Sequence, residues 1–232
     1  MRPGKITIIL PVLNEASGIA ATLAALQSLR AEGAEVIVVD GGSHDGTTEH
    51  IGNLADLIIS APHGRSRQMN AGAALAQGET LLFLHADTRL PDTALLAINR
   101  AIVNGARWGR FDVCIDGRLR GLGMVAWMMN WRSRLTGIAT GDQAIFVTRQ
   151  EFQAVGGFPE LPLMEDIVLS RRLRRESRPA CLRERVTTSG RRWEKYGLWR
   201  TILLMWRLRL RFYLGADPQQ LAQEYGYAPE KP

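Results

Sequence analysis

Cysteine is nearly absent from the 232-residue chain: Cys114 and Cys181 are the only two, too few and too widely spaced for a disulfide framework or a structural zinc site. A reducing compartment suits this composition. Long apolar runs are missing as well. The first one, Ile6 to Leu10, stops at Pro11, far short of a secretory signal core and shorter still than a membrane span, so a cytoplasmic protein is expected. No linker and no internal repeat divides the sequence. Acidic residues are scarce in one place. From Arg171 to Arg211 fourteen Lys and Arg face three Glu, a local charge of +11 that leaves the rest of the chain at −5 within a total of +6. Charge concentrated in this way suits diphosphates, anionic lipid headgroups or RNA. The remainder is ordinary: 46% apolar and 22% charged residues describe a globular chain long enough for one large domain or two small ones.

Apolar runs alternate between strand and helix patterns. Thr7 to Leu10 reads as a strand and Asn14-Glu15-Ala16-Ser17 as a helix start, after which Ile19, Leu23 and Leu26 form a stripe suited to packing on a sheet. Val36 to Val39 is a second strand, closing on Asp40-Gly41-Gly42-Ser43. Leu57 to Ile59, Ser66 to Ala76 and Thr80 to Leu84 then read as strand, helix and strand, with His85-Ala86-Asp87 at the end and a further helix over about Asp92 to Asn104. This succession predicts an α/β fold with a mainly parallel sheet. Ligands of such sheets bind at the C-terminal strand ends, where Asn14, Glu15, Asp40 and Asp87 fall. Beyond Trp108 the alternation fades into short strands at Phe111 to Ile115 and Ala144 to Val147, around a Trp- and Met-rich stretch from Leu119 to Leu135.

Taken singly, the chemistry-bearing residues each admit two readings. Asp40 before two glycines is a turn cap or an acceptor for ring or ribose donors. Asp87 is a helix cap or a ligand for a hard divalent cation; His85, two residues earlier, is a core histidine, a ligand or a ligand's partner. Arg65, Arg67, Gln68 and Asn70 enter a helix where donors can meet a phosphate, or form a solvated surface. Glu165-Asp166 follows a Gly-Gly-Phe-Pro turn and heads a helix, as first-turn acids or as a general base. Arg191-Arg192-Trp193 is a basic surface turn or a clamp on a diphosphate.

Their order along the chain is more specific. ILPVLNE, VVDGGSHDGT, RQMNAG, LFLHADT and GGFPELPLMEDIVLSRRL, spread over Ile6 to Arg175, resemble the family 2 glycosyltransferases of GT-A fold. The short length, the RRW and the basic tail are most similar to the subgroup associated with radical-SAM/selenodomain proteins. The resemblance implies a GT-A domain over 1–190, with a nucleotide half over about 1–90 and an acceptor half over about 91–190, followed by a basic amphipathic helical tail over 191–232. It implies a nucleotide-sugar donor, UDP-linked by preference, and sugar transfer with inversion. On this mapping Pro11, Asn14 and Glu15 line the nucleotide pocket, Asp40 receives the base or ribose, and Arg67 lies near the base or diphosphate, with Asn70 and Ala86 on the same donor side. Asp87 is the final Asp of a metal-binding DXD motif for Mn2+ or Mg2+, and Asp166, beside Glu165, is the base. Arg191 and Arg192 assist the leaving diphosphate. His85 replaces the motif's first Asp, and Gly41 stands where many members have a second acid.

The acceptor side is open: a small metabolite, a lipid-linked group or a glycan end. In the tail, Leu198 to Leu214 places Trp199, Ile202, Leu203, Trp206, Leu210 and Tyr213 on one helical stripe and Arg200, Arg207 and Arg211 on another face. Its arginines exclude a membrane span, so it is expected to lie on the inner membrane surface or to pair in a homodimer. Two rival readings are weaker. Nucleotidyl transfer lacks its glycine-rich signature loop at Leu10 to Ser17. A nucleic-acid module would present exposed aromatics on a sheet rather than arginines among apolar residues at helical spacing, and no nucleic-acid partner is expected.

Overall fold

A computed structural model describes residues 4–227; residues 1–3 and the last five of the expected tail, 228–232, lie outside the described residues. In chain order the elements are β1 (Ile6–Val12), α1 (Ile19–Ala25), α2 (Gln27–Ala31), β2 (Glu35–Asp40), β3 (Leu57–Ser60), α3 (Arg65–Leu75), β4 (Thr80–Phe83), β5 (Thr88–Arg89), α4 (Ala94–Val103), β6 (Trp108–Asp116), α5 (Leu122–Thr136), β7 (Ile145–Thr148), α6 (Arg149–Ala154), α7 (Glu165–Glu176), β8 (Ala180–Ser189), α8 (Arg191–Tyr196), α9 (Leu198–Tyr213) and α10 (Pro218–Tyr225). The strands form one sheet in the order β3-β2-β1-β4-β7-β6-β8-β5. Its first four strands are mutually parallel. β7 runs against both β4 and β6, while β6 and β8 are parallel. This is a mixed sheet whose first four strands in that order form a parallel half, in keeping with the GT-A fold that the resemblance implies.

Both faces of the sheet are covered, which explains why β1, β2 and β4 read as continuous apolar runs rather than alternating ones. Ile8 and Leu10 of β1 join Leu23, Val36 and Leu82 on one side, and Ile9 joins Ile37, Met69 and Phe83 on the other. The β-branched, apolar strand residues thus build the platform, and the strand ends carry the polar groups.

β8 is absent from the sequence reading. Its Arg183, Glu184 and Arg185 interrupt any apolar run, and only Val186 and Thr188 of the strand are buried. Backbone pairing with β6, not side-chain burial, makes it a strand. The C-terminal elements build a third, smaller core in which Leu208, Leu221 and Ala222 meet Leu163, Met164 and Ile167, with Leu204 and Phe212 packed on it. α9 therefore turns Thr201 and Leu208 inward, while Trp199, Leu203, Trp206, Leu210 and Tyr213 of the apolar stripe face solvent. α10 is also unforeseen, although Asp217 caps it by accepting from Gln219 N and Pro218 stands at its start, a legible start signal.

Candidate active site

The parallel half of the sheet ends in a cavity of about 600 Å3. Pro11 and Val12 at the end of β1 with Glu15 beyond it, Gly64 to Gln68 at the head of α3, and His85, Ala86 and Asp87 after β4 line it. Three strand-to-helix junctions thus converge, as expected where parallel strands deliver their C-terminal ends. Of the residues singled out in the sequence, Pro11, Glu15, Arg67, His85, Ala86 and Asp87 are brought together here. Arg67 also lies 3.3 Å from Glu160, and the carbonyl of Ala86 accepts from Thr22 Oγ1 at 2.6 Å.

Arg191, from the far end of the sheet, reaches across. Its Nη2 is 3.7 Å from Glu15 Oε2 and 3.8 Å from Asp87 Oδ2. Burial raises the Glu15 carboxyl above its ordinary value, opposed by Arg191 and reinforced by Asp87. One guanidinium between two carboxylates at loose distance is a site whose charges are not fully matched internally.

Asp40 and Asn14 are engaged in the turns beside the cavity and do not line it. Asp40 accepts from Gly42 N, Ser43 N and Ser43 Oγ. Asn14, at φ 53, donates its N–H to Ser43 Oγ and accepts from His44 N through Oδ1. Gln68, not assigned a role beyond phosphate contact in the sequence, proves central: its Nε2 donates to the carbonyls of Val12 and Val39 at 2.8 Å each. It thereby splices the ends of β1 and β2. It also accounts for Gly41, since a Cβ there would sit 3.0 Å from the Gln68 amide, leaving no room for a second acid. Asn70 holds the turn at Phe158, accepting from its N–H and donating to its carbonyl.

Glu165 and Asp166 open α7 next to His85, at a small void also bordered by Gly141 and Phe158. Asp166 Oδ2 accepts from Gly141 N at 2.9 Å and Oδ1 from Ile167 N at 2.7 Å, so its carboxylate has a fixed orientation at a helix N-terminus. Glu165 is buried, and burial followed by the Asp166 charge pushes its carboxyl up to about 7, with Arg65 acting against both. His85 Nδ1 is 3.4 Å from Asp142 Oδ1. Burial pushes the Asp142 carboxyl up, but the hydrogen bond and charge of His85, with Arg65 and Arg209, outweigh it and hold the group low.

The donor set for a cation is small. Among the described residues no three His, Cys, Asp or Glu side chains gather to hold a metal. His85 Nδ1 faces Asp142 and its ring packs against Gly141, while the carboxylates of Asp87 and Glu15 also line the cavity. One or two carboxylates suit Mg2+ or Mn2+ only when substrate phosphates and water complete the shell.

The last wall of the cavity comes from the C-terminal segment through Gln219, Ala222, Gln223 and Tyr227. Arg192 fixes this segment: its Nη2 donates to the Tyr225 carbonyl at 2.6 Å and its guanidinium lies 3.6 Å from the Tyr225 ring centroid. Arg65 stacks over Tyr227 at 5.7 Å.

A covered α/β sheet with a cavity at its parallel strand ends, lined by arginines and carboxylates, is the arrangement in which open α/β sheets place small-molecule ligands. Residues 7–150 match the model of glycosyl transferase family 2, and the chain belongs to that family. A curated relative, the undecaprenyl-phosphate 4-deoxy-4-formamido-L-arabinose transferase of Aeromonas hydrophila, is 28% identical over 142 residues, covering 56% of this chain. That alignment takes in 41% of the relative, so the chain spans about two fifths of its length. Among solved structures, S. aureus TarS 1-349 in complex with UDP-GlcNAc superposes with a TM-score of 0.64 at 19% identity, over 80% of this chain and 58% of that one. Mannosyltransferase PcManGT from Pyrobaculum calidifontis, in complex with GDP-Man and Mn2+, superposes with a TM-score of 0.64 at 20% identity, over 97% and 69%. At these identities the likeness is one of fold.

Proposed function

We propose that the protein transfers a sugar from a nucleotide-sugar donor, a UDP-sugar by preference, to an acceptor hydroxyl with inversion at the anomeric carbon. One observation carries the reading above the others: at the β1 and β4 ends Arg191 lies within 4 Å of both Glu15 and Asp87, and His85 borders both this cavity and the void at the fixed carboxylate of Asp166. The acceptor oxygen attacks the anomeric carbon from the side opposite the diphosphate. The new C–O bond forms as the bond to the diphosphate oxygen breaks, the electron pair leaves with the nucleoside diphosphate, and the acceptor proton passes to Asp166. Gly141 and Ile167 N–H groups aim that carboxylate. Arg191 meets the charge that develops on the leaving group, which a preorganised cation stabilises most where water is excluded.

Asp87 is the residue that would hold Mn2+ or Mg2+, together with donor phosphate oxygens; such an ion supplies neutralisation of the diphosphate. The Mn2+ in the mannosyltransferase complex supports this assignment by analogy of fold. For the acceptor, the name of the Aeromonas relative favours a lipid phosphate over a free metabolite or glycan end. No described helix is long and apolar enough to cross a membrane.

A thermal-shift panel of UDP-, GDP- and dTDP-sugars, each with Mn2+, Mg2+ or EDTA, tests the reading, because a ligand of the folded state raises the melting temperature. A metal-dependent rise with one nucleotide class is expected. No rise with any of them would overturn the donor assignment.

A further inference from the structure

We propose that α5 and α9 together form a docking face for an anionic phospholipid bilayer. The docking does not depend on the transfer chemistry. Each helix is apolar on two opposite sides, one of which the protein already uses. α5 buries Leu122, Val125 and Ala126 and exposes Met124, Trp127, Trp131 and Leu135, which fall on one stripe at helical spacing. α9 buries Thr201 and Leu208 and exposes Trp199, Leu203, Trp206, Leu210 and Tyr213, each at least 58% accessible. Four of the chain's six tryptophans therefore stand on these two stripes, and the rings of Trp127 and Trp131 stack with centroids 6.4 Å apart.

The helices lie side by side. Gly121, at φ 100 just before α5, has Leu198 of α9 so near that an added Cβ would stand 2.8 Å from its Cδ2. Toward the other end, Arg132 of α5 feels the charge of Arg209 and the hydroxyl of Tyr213 on α9. The helices thus start together and run in the same direction, each with an exposed apolar stripe. An exposed apolar surface of this extent marks an interaction site.

Charge selects the occupant. α5 and α9 contain six arginines and no Asp or Glu. Arg134 reaches Asp112, while Arg207 and Arg211 share Glu224. Arg132 and Arg209 are turned inward, where Asp166 acts on Arg132 and Arg209 acts on Asp142, so the face offers Arg200, for which no acidic partner stands within ion-pair distance among the described residues, and the Arg207 and Arg211 pair. A second copy docked on this face would bring like-charged arginines together, whereas a bilayer offers phosphates to the arginines and a headgroup boundary to the tryptophans. Arginines flanking an apolar stripe also lay their methylene stems along the interface. Trp199 follows Arg191 by eight residues, so docking brings the site's own arginine close to the membrane surface, where a lipid-linked acceptor resides.

The test is co-sedimentation of the full chain with phosphatidylcholine vesicles and with mixed phosphatidylcholine and phosphatidylglycerol vesicles at moderate salt. Pelleting with the mixed vesicles alone, with a blue shift of tryptophan emission and quenching by brominated lipid, is expected. The combined variant Trp127→Ser, Trp199→Ser, Trp206→Ser is expected to lose binding by at least about tenfold with an unchanged circular-dichroism melt. Wild-type protein that stays in solution without an emission shift, or that scatters light as a dimer whose mass vesicles do not alter, would overturn the proposal. So would full binding by the triple variant. Donor thermal shifts measured without vesicles keep the fate of the glycosyl-transfer reading separate.

Discussion

Gly141 serves Asp166 and His85 at once: its N–H donates to Asp166 Oδ2 at 2.9 Å, and its α-carbon leaves so little space that an added Cβ would lie 2.2 Å from His85 Nε2. The turn before β7 is therefore the common support of the acid at the head of α7 and of the histidine after β4.

Gly141→Ala should lower stability by about 1–3 kcal/mol, the usual range for overpacking a tight site. Urea unfolding of the variant, and of the same change combined with His85→Ala, measures it. The double variant should recover most of the loss; purely additive effects would place the strain elsewhere.

Asp166→Asn keeps the size of the side chain but a single acceptor oxygen, so it retains one of the two backbone N–H partners, Gly141 or Ile167, and takes no proton. Transfer should fall at least about a hundredfold, the scale of general-base catalysis, while the donor-induced thermal shift stays at the wild-type value. Transfer at the wild-type rate would remove Asp166 from the role.

Arg191→Ala leaves Glu15 and Asp87 facing each other without the cation between them. Donor affinity measured by calorimetry should drop roughly tenfold or more, in keeping with the loss of a charge-assisted contact. Asp87→Ala should abolish whatever part of the thermal shift EDTA removes from the wild type, and leave the metal-independent part.

Stability should depend on pH through Glu165. Its carboxyl is raised in the folded protein to about 7 from an ordinary 4.5, so the folded state holds the proton more tightly than the unfolded chain. The stabilisation is complete below about 4.5 and is lost as pH rises through 7. Melting temperatures taken between pH 5 and 8 should fall with pH in the wild type, and Glu165→Gln should flatten that slope.

The parallel half of the sheet was legible because its strands are buried on both faces and end on Pro, Gly and Asp signals, as at Leu10-Pro11 and Asp40-Gly41. The cavity's Glu15 and Asp87 followed from those ends, and Arg67 from the segment entering a helix. β8 was illegible because its pairing resides in the backbone while Arg183, Glu184 and Arg185 occupy the side-chain pattern. The amphipathic stripe of α9 was visible, but not which of its two apolar sides faces inward. That choice is made by Leu163, Met164 and Ile167, far away in sequence. Likewise nothing local tells that Arg192 is drawn to the carbonyl and ring of Tyr225, or that Gln68 bridges two strand ends.

The wall supplied by Gln219, Ala222, Gln223 and Tyr227 has a consequence for biosynthesis. A nascent chain can complete its sheet, and even place Asp87 and Asp166, well before the residues that finish the cavity have left the ribosome. On this geometry, ribosome-bound chains arrested before Pro218 should hold nucleotide sugar more weakly than the released protein, so that a polypeptide still being made withdraws little donor from the cell's pool.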